Sequence, residues 1–350
     1  MQTAVAALKN GDFASILRAV TAYERAHELR PKSIPACLGL GRTYRRLNLH
    51  EETIALIDEC LAAAGPAPNL ELMRGRTLLQ MGMGSEARAA FEAATAAGAV
   101  EARSDLGLLA WAQGDLDVAV EELEALILVR PRRALVYVRL AEVYIDRLEF
   151  ATAEGLLQRA LELQACCAAQ AHNLLGLIRY KAGDLEGAVT HGREAIRLDA
   201  DLGLAHYNLA MALRDSGQRE QSQQVMQRFQ EIDSAANQRE LEENRATQIA
   251  MLNVQGLYYL RHDDPAEALR LFEAALGFAP DDAVIHFNIG LSRSALGQPE
   301  GAITALESAR ELQPNRAETY ELLAAAYRAL GRAADAQRID ELRQQLEGQH

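Results

Sequence analysis

Hydrophobic and small residues recur along the chain with a period that is typical of paired α-helices. The small residue that closes each recurring apolar phrase stands at Gly41, Gly75, Gly107, Ala141, Gly176, Ala210, Gly256, Gly290 and Ala324. Seven of the eight intervals between these residues lie within two residues of 34, and the interval from Ala210 to Gly256 is 46. Turn formers such as Gly114-Asp115 divide the units into helical halves. The pattern therefore predicts a repeated helix-turn-helix unit over nearly the whole chain.

The repeat resembles the tetratricopeptide repeat family, whose 34-residue unit is a helix-turn-helix. The family's positions 8, 11, 20, 24, 27 and 32 are filled in the clearest unit by Gly256, Tyr259, Ala268, Phe272, Ala275 and Pro280. Counting a looser first unit, the chain contains ten such repeats. The resemblance implies an all-α fold, a right-handed superhelical solenoid of antiparallel helix pairs whose first helices line a concave groove.

A polar segment interrupts the period between the seventh and eighth repeats. No Gly or Pro occurs from Gln218 to Gln255, so the segment is predicted to be helical, either prolonging the second helix of the seventh repeat or adding a short extra one. The predicted organisation is residues 1–234 as repeats one to seven, 235–248 as a polar insertion or linker, and 249–350 as repeats eight to ten with a C-terminal capping helix. The insertion is either a surface extension or a hinge.

Composition and charge exclude several classes of protein. The chain has 36 Lys and Arg against 49 Asp and Glu, a net charge of −13, which argues against a general nucleic-acid binder. No apolar run approaches the roughly 20 residues that cross a bilayer, and the N-terminal residues have no secretory pattern. Four cysteines do not form a small secreted framework, and Cys37 and Cys60 are interpreted as free packing residues. We expect a cytoplasmic protein that is not an integral membrane protein.

The sequence contains none of the common catalytic or cofactor-binding motifs. The sequence has no phosphate-binding G-x-x-x-x-G-K-[ST], no H-E-x-x-H and no G-x-S-x-G. His172, His206 and His286 all fall at the family's position 4, where a side chain packs between helices, and residues so far apart along a solenoid do not converge on one metal ion. We predict no enzyme activity, no cofactor and no metal site.

Candidate binding residues come from the groove-facing positions that the resemblance implies, and they form three zones. The first zone is cationic and contains Arg42, Arg45, Arg46 and Arg76. The second is largely apolar and contains Trp111 and Tyr180. The third mixes aromatic, aliphatic and amide groups and contains Tyr207, Asn208, Met211, Asn253, Leu257, Phe287, Asn288 and Leu291.

Each zone has two interpretations. Exposed aromatic and aliphatic side chains in a groove anchor partners, and the amides of Asn208 and Asn288 could hold an extended peptide main chain; alternatively, these amides only face water. The arginines could receive an acidic or phosphorylated segment, or they form a solvated basic face. The Lys and Asn pattern of the family's co-chaperones is not supplied by any three successive units.

The sequence favours a non-catalytic scaffold or adaptor that binds a peptide segment or partner protein in its groove. Analogy with other repeat proteins places it in a bacterial secretion, pilus, motility or envelope assembly system. The alternative is a regulatory sensor whose superhelix changes pitch when a ligand or peptide binds, with the stretch near Glu240 as its pivot. Self-association as a homo-oligomer is compatible with both functions.

Overall fold

The computed structural model describes residues 13–163 and 167–347, and these residues form α-helices and no strand. The helices are α1 Phe13–Leu29, α2 Ile34–Arg46, α3 His50–Ala64, α4 Pro68–Gln80, α5 Gly84–Ala96, α6 Ala102–Ala112, α7 Leu116–Val129, α8 Ala134–Asp146, α9 Phe150–Glu162, α10 Ala168–Lys181, α11 Leu185–Leu198, α12 Gly203–Asp215, α13 Arg219–Arg261, α14 Pro265–Phe278, α15 Ala283–Ala295, α16 Pro299–Leu312, α17 Ala317–Ala329 and α18 Ala333–Glu347. The all-α prediction is confirmed. The first helix expected for the first repeat falls before Phe13, outside the described residues.

Helix packing follows the predicted pairing. From α4 to α12, and again from α14 to α18, each helix packs against the next helix in the chain. First helices of successive repeats also touch, as α8 does with α10, α10 with α12, and α15 with α17. The predicted solenoid of helix pairs is therefore confirmed.

Glycine at position 8 allows the two helices of a pair to approach closely. A Cβ atom on Gly75 would lie 2.5 Å from the Phe91 ring, and one on Gly256 would lie 2.5 Å from the Phe272 ring. Both phenylalanines are fully buried at position 24. In these two hairpins a small residue at position 8 packs against a large residue at position 24, as predicted, and this contact lets the paired helices approach closely.

The turns within the pairs are built by the predicted Gly-Asp dipeptides. Gly183 has a φ of 79°, in the left-handed region that glycine enters without a steric cost. The next residue, Asp184, caps α11 because its Oδ1 accepts from the Gly187 N–H at 2.9 Å. Gly114 and Asp115 repeat this arrangement before α7, so each turn ends one helix and begins the next.

The 43-residue helix α13 departs from the repeat pattern. Its first part is the second helix of repeat seven, and its last part is the first helix of repeat eight, with the predicted insertion 235–248 between them as continuous helix. Of the two alternatives for the insertion, prolongation is confirmed, and it extends through to the next repeat. Residues 236–248 are all exposed, so this stretch is helical without a packed face.

The chain divides into two compact units, and the boundary falls inside α13. Unit 1 contains residues 13–30, Gly39–Glu52 and 241–347. Unit 2 contains Pro31–Leu38 and Thr53–Glu240. Unit 2 is therefore the regular stack from α3 to the first half of α13, whereas unit 1 combines helices from the two ends of the described chain.

Unit 1 is closed by contacts between residues about 200 positions apart. The ring of Tyr44 on α2 meets the ring of Tyr258 on α13 edge to face, with centroids 5.7 Å apart. Gln255 Nε2 donates to the Leu47 carbonyl at 2.6 Å. Tyr258 is 6% exposed and stands at position 10 of its repeat. The N-terminal helices thus cover the first helix of repeat eight, and we call this contact the closing junction.

Glu24 on α1 adds hydrogen bonds to the closing junction. Its Oε1 accepts from the Tyr44 hydroxyl at 3.0 Å and lies 3.0 Å from His262 Nε2. The Tyr259 hydroxyl donates to Glu52 in the same unit. Burial and the neighbouring carboxylate raise the pKa of Tyr259 above its usual range. These phenols therefore remain protonated donors at neutral pH.

The interpretation of Cys37 and Cys60 as free packing residues is wrong, because they form a disulfide. The two residues occupy positions 4 and 27 of the same repeat, where α2 and α3 pack, and their Cα atoms are 6.4 Å apart. Their sulfurs are not available as thiolate ligands for a metal. The disulfide also removes the support that an interpretation of free cysteines gave to the expected cytoplasmic location.

The position-4 histidines have the predicted packing role. His206 is 6% exposed, and its Nε2 lies 2.9 Å from the Ala200 carbonyl. His286 Nε2 lies 2.8 Å from the Pro280 carbonyl, and His172 Nδ1 lies 3.0 Å from His191 Nδ1. Each ring joins its helix to a neighbouring turn or helix.

Among the described helices, none combines the length and apolar character needed to cross a bilayer.

Candidate partner-binding surface

The first helices of the repeats carry every residue predicted to bind a partner, and these residues divide between the two units. Unit 1 holds Arg42, Arg45 and Arg46 on α2, Asn253 and Leu257 on α13, and Phe287, Asn288 and Leu291 on α15. Unit 2 holds Arg76 on α4, Trp111 on α6, Tyr180 on α10, and Tyr207, Asn208 and Met211 on α12. The candidate residues are therefore divided between the two units and do not belong to a single unit.

The four predicted arginines differ in how their charge is compensated. Arg42 and Arg46 are exposed, and neither forms an ion pair with a described residue. Arg45 is half-buried. Arg76 is paired within unit 2, because its Nη2 lies 2.7 Å and its Nε 2.9 Å from Asp105 Oδ2. Arg76 is therefore less suited to an external carboxylate or phosphate than Arg42 and Arg46.

The aromatic residues of unit 2 are anchored by carboxylates of the next repeat. Trp111 Nε1 donates to Asp146 Oδ2 at 2.7 Å, and the Tyr180 hydroxyl donates to Asp215 Oδ2 at 2.6 Å. Each carboxylate lies 35 residues after its aromatic partner. Both rings are half-buried. A polar tip held in this way fixes the ring orientation, which lowers the entropic cost of a contact with a partner.

Hydrogen bonding keeps the carboxylate beside Tyr180 ionised. Bonds from Arg214 and then from Tyr180 lower the pKa of Asp215 below its usual value. The same bond to Asp215 raises the pKa of Tyr180. The first-helix surface of unit 2 therefore presents the Arg214–Asp215 ion pair, 2.8 Å between Nε and Oδ1, next to an aromatic ring.

The side-chain amides of Asn208 and Asn288, which were predicted to hold a peptide main chain, are hydrogen-bonded to other asparagines of the protein. Asn208 Nδ2 donates to Asn173 Oδ1 at 2.9 Å, and Asn288 Nδ2 donates to Asn253 Oδ1 at 2.7 Å. In each pair, position 5 of one repeat meets position 6 of the next. Asn288 is only 3% exposed, so neither of the two predicted interpretations, a free amide for a peptide or an amide facing water, describes it. The 35-residue spacing of the pairs is the signal that sequence reasoning missed.

Phe287 is also not an exposed anchor, contrary to the expectation. It is 7% exposed, and the Arg316 guanidinium lies 3.6 Å from its ring centroid. A cation stacked on an aromatic face shields that face from solvent. Leu257 and Leu291 are half-buried against the hydrophobic clusters of unit 1. The surface of unit 1 therefore offers less free apolar area than the sequence suggested.

Unit 2 carries an apolar surface cluster, which we call the Tyr207 patch and define as Leu204, Tyr207, Phe229 and Ile232, the last two half-buried. Leu204 is 64% exposed and Tyr207 is 40% exposed. The Tyr207 and Phe229 ring centroids are 5.6 Å apart, and a Cβ on Gly203 would be in ordinary van der Waals contact with the Phe229 ring at 3.7 Å. Tyr207 was predicted, but Leu204 was missed although it occupies groove-facing position 2. Phe229 and Ile232 belong to a second helix and carried no sequence signal.

Comparison with known proteins identifies the family of the chain. Sequence profiles described as tetratricopeptide repeat match residues 72–134, 104–166, 138–202 and 287–342, and a second profile with the same description matches 204–235. The fold is an all-α array of helix pairs, the class in which such repeats occur. The chain belongs to the tetratricopeptide repeat family, whose members generally serve as protein-interaction modules.

Individual relatives are distant. Superkiller complex protein 3 from Mus musculus is 28% identical over 260 residues, which are 66% of this chain and 17% of that protein. The crystal structure of MamA is 23% identical and covers 47% of this chain and 95% of its own, with a TM-score of 0.41. The C-terminal part of a repeat protein from Cytophaga hutchinsonii is 13% identical and covers 72% and 99%, with a TM-score of 0.47. At these values the likenesses carry no functional information about this chain.

Proposed function

We propose that the chain is a non-catalytic scaffold that binds a segment of a partner protein on the first-helix surface of unit 2. The observation that carries the proposal is the exposure of Leu204 and Tyr207 beside Phe229. Large apolar side chains grouped on a surface are costly to hydrate, and burial of aromatic anchors dominates the binding energy of many interfaces. Arg42 and Arg46 remain candidates for acidic groups of a partner. The cytoplasmic location remains a proposal from the sequence, and the bacterial assembly role remains a proposal by analogy alone.

Substitutions in the Tyr207 patch test this function. Leu204→Glu and Tyr207→Ala should abolish capture of the partner from a lysate of the source cell, because they remove the apolar anchors without touching buried residues. Leu128→Glu is the matched control, since Leu128 is 83% exposed at the end of α7 and lies outside the patch. The proposal requires that wild type and Leu128→Glu capture the same protein and that the patch variants lose it. Equal capture by all four proteins would contradict it.

A ligand-responsive sensor is the second candidate function. The observation that supports it is the unit boundary between Glu240 and Leu241, within the stretch of α13 whose residues 236–248 are all exposed. Apart from the hydrogen bond from Arg245 to the Phe278 carbonyl, this exposed segment has no buried face, and an exposed helix segment bends at a lower cost than a packed one. Small-angle scattering with and without the captured partner segment separates the two functions. A changed radius of gyration favours the sensor, and an unchanged radius favours the scaffold.

A further inference from the structure

A cavity between the second helices of repeats six and seven is not explained by the proposed function. It has a volume of about 340 Å³ and lies between α11, α12 and the first part of α13, all in unit 2. Its apolar lining comes from Ile196, Leu209, Leu213 and Val225. Small-molecule sites typically have volumes from about 300 to 1,000 Å³ with mostly apolar walls. The cavity therefore has the size and lining of a small ligand site.

The cavity lies where the repeat family places its largest side chain. His206 lines the cavity at position 4, which is a tryptophan position in the family pattern. In repeats five and ten the same position holds Tyr137 and Tyr320, whose hydroxyls donate to the carbonyls of Pro131 and Pro314. The imidazole makes the equivalent bond to Ala200 with a smaller ring. The side chain at position 4 therefore fills less of the space between α11 and α13 in repeat seven than a tyrosine or tryptophan would.

One wall of the cavity has an acceptor without a partner. His206 is 6% exposed, and its Nε2 must donate to the Ala200 carbonyl, because a carbonyl oxygen only accepts. In the neutral ring this leaves Nδ1 as an acceptor, and Nδ1 is buried with no hydrogen-bond partner among the described residues. A buried polar atom without a partner is unfavourable. A ligand with an N–H or O–H group directed at Nδ1 would satisfy it.

The mouth of the cavity carries positive charge. Arg193 Nη2 donates to the neutral Gln221 amide at 2.9 Å, and Arg193 forms no ion pair with a carboxylate of the described chain. Arg228 also lines the cavity, but its charge is shared with Glu231 at 3.2 Å and Asp201 at 3.8 Å. Arg193 is thus the uncompensated guanidinium beside an apolar pocket, an arrangement that favours a carboxylate.

We propose that this cavity binds a small amphipathic carboxylate, with one branched or aromatic apolar group and one hydrogen-bond donor beside the carboxylate. The apolar group occupies the lining of Leu209, Leu213 and Val225, the carboxylate pairs with Arg193, and the donor meets His206 Nδ1. Free N-acyl amino acids and the terminal residue of a peptide share this chemistry. The site uses none of the Tyr207 patch, so it is independent of the proposed function.

Titration of the full-length chain with two probes tests the chemistry and its source. N-acetyl-leucine represents the free ligand, and the peptide N-acetyl-Ala-Ala-Leu represents a chain terminus. Saturable binding of either probe, followed by calorimetry, supports the site, and the tighter of the two identifies the source. N-acetyl-leucinamide, which lacks the carboxylate, should bind at least about tenfold more weakly because the charge-assisted bond to Arg193 is lost. Absence of saturable binding for both carboxylates up to millimolar concentration overturns the proposal.

Two variants locate the binding within the cavity. His206→Trp fills the space with the residue of the family pattern and should abolish binding, while circular dichroism and melting verify that the fold is retained. Arg193→Gln keeps the cavity and should weaken binding about five- to tenfold through loss of the charge-assisted bond. Arg197→Gln is the matched control, since Arg197 is on the same helix and pairs with Glu194 outside the cavity. Equal affinity in the Arg193 and Arg197 variants overturns the assignment of the carboxylate.

Discussion

The closing junction of unit 1 and a regular junction of unit 2 use the same repeat position against different neighbours. At position 10 of repeat seven, Ala212 packs in the cluster that contains Ala188 and Val189 of α11, the helix just before it in the chain. At position 10 of repeat eight, Tyr258 packs against Tyr44 of α2. The continuous helix α13 leaves no turn before residue 249, so the preceding segment does not fold back as a neighbour. Position 10 therefore packs against the preceding helix where helices follow in sequence, and against the N-terminal helix α2 at the closing junction.

The largest effect is expected from emptying equivalent core sites in the two units. Phe91 in unit 2 and Phe272 in unit 1 are both fully buried at position 24. Phe91→Ala and Phe272→Ala should each lower the free energy of unfolding by about 3–5 kcal/mol, since each leaves a cavity beside a glycine. Hydrogen exchange should increase mainly in the unit that carries the substitution. Equal increases in both units would show that the two units unfold as one.

Loss of the disulfide should have the next largest effect. The Cys37–Cys60 bond closes a segment of 23 residues, so Cys60→Ala should lower the free energy of unfolding by about 3 kcal/mol. Cys37 belongs to unit 2, whereas Gly39–Glu52 belongs to unit 1. The variant therefore also tests whether the closing junction holds once α2 is released from α3. Wild type treated with a reductant should melt like the variant, and a melting temperature insensitive to reductant contradicts the bond.

Truncation at the closing junction should have a smaller and more local effect. Tyr258→Ala removes the edge-to-face contact with Tyr44 and should cost about 2 kcal/mol. Exchange should rise at residues 39–52 and 249–262. Ile178→Ala is the matched variant, because Ile178 occupies position 10 of a regular junction and is 4% exposed. Its effect should be confined to unit 2, and a rise at residues 39–52 in that variant would be inconsistent with the comparison.

Of the four expected effects, acidification should have the smallest, a decrease in the free energy of unfolding of unit 2. Burial lowers the pKa of His172 and of His191 below the usual 6.5, and for His191 the neighbouring His172 adds to the shift. A histidine with a lowered pKa is neutral in the folded protein while the unfolded chain takes up a proton. Stability is therefore present above pH 6.5 and decreases as the pH falls below it toward the lowered values. His172→Gln should reduce this dependence in thermal melts, and an unchanged dependence would assign it to other groups.

The residue pattern predicted the helix hairpins well because the contacts that hold each hairpin together lie within one repeat. Gly75 meets Phe91 and Gly256 meets Phe272 at short sequence separations, so a residue pattern of period 34 contains all the information. The lack of helix breakers around Glu240 predicted a prolonged helix for the same reason. The sequence also allowed the prediction that this helix continues into the first helix of repeat eight, since no Gly or Pro occurs between Gly217 and Gly256.

The candidate surface was less predictable because its chemistry depends on pairs of repeats. The repeat positions predicted Tyr207 on the surface, where it is 40% exposed. They could not show that Asn208 is bonded to Asn173 or that Arg316 covers Phe287. Contacts across one repeat leave a 35-residue signal that can be sought. The closing junction leaves no such period, since Gln255 and Leu47 are 208 residues apart. The size of Tyr258 at position 10 is the one local hint.

Proteolytic cleavage in the exposed part of α13 should leave the two fragments non-covalently associated. Cleavage after Arg239, an exposed residue, separates the chain into fragments 1–239 and 240–350. Unit 1 takes helices from both fragments, so the fragments should elute together under native conditions and separate only in denaturant. The two fragments could therefore serve as a split reporter. Their reassembly after separate production would measure whether unit 1 is folded.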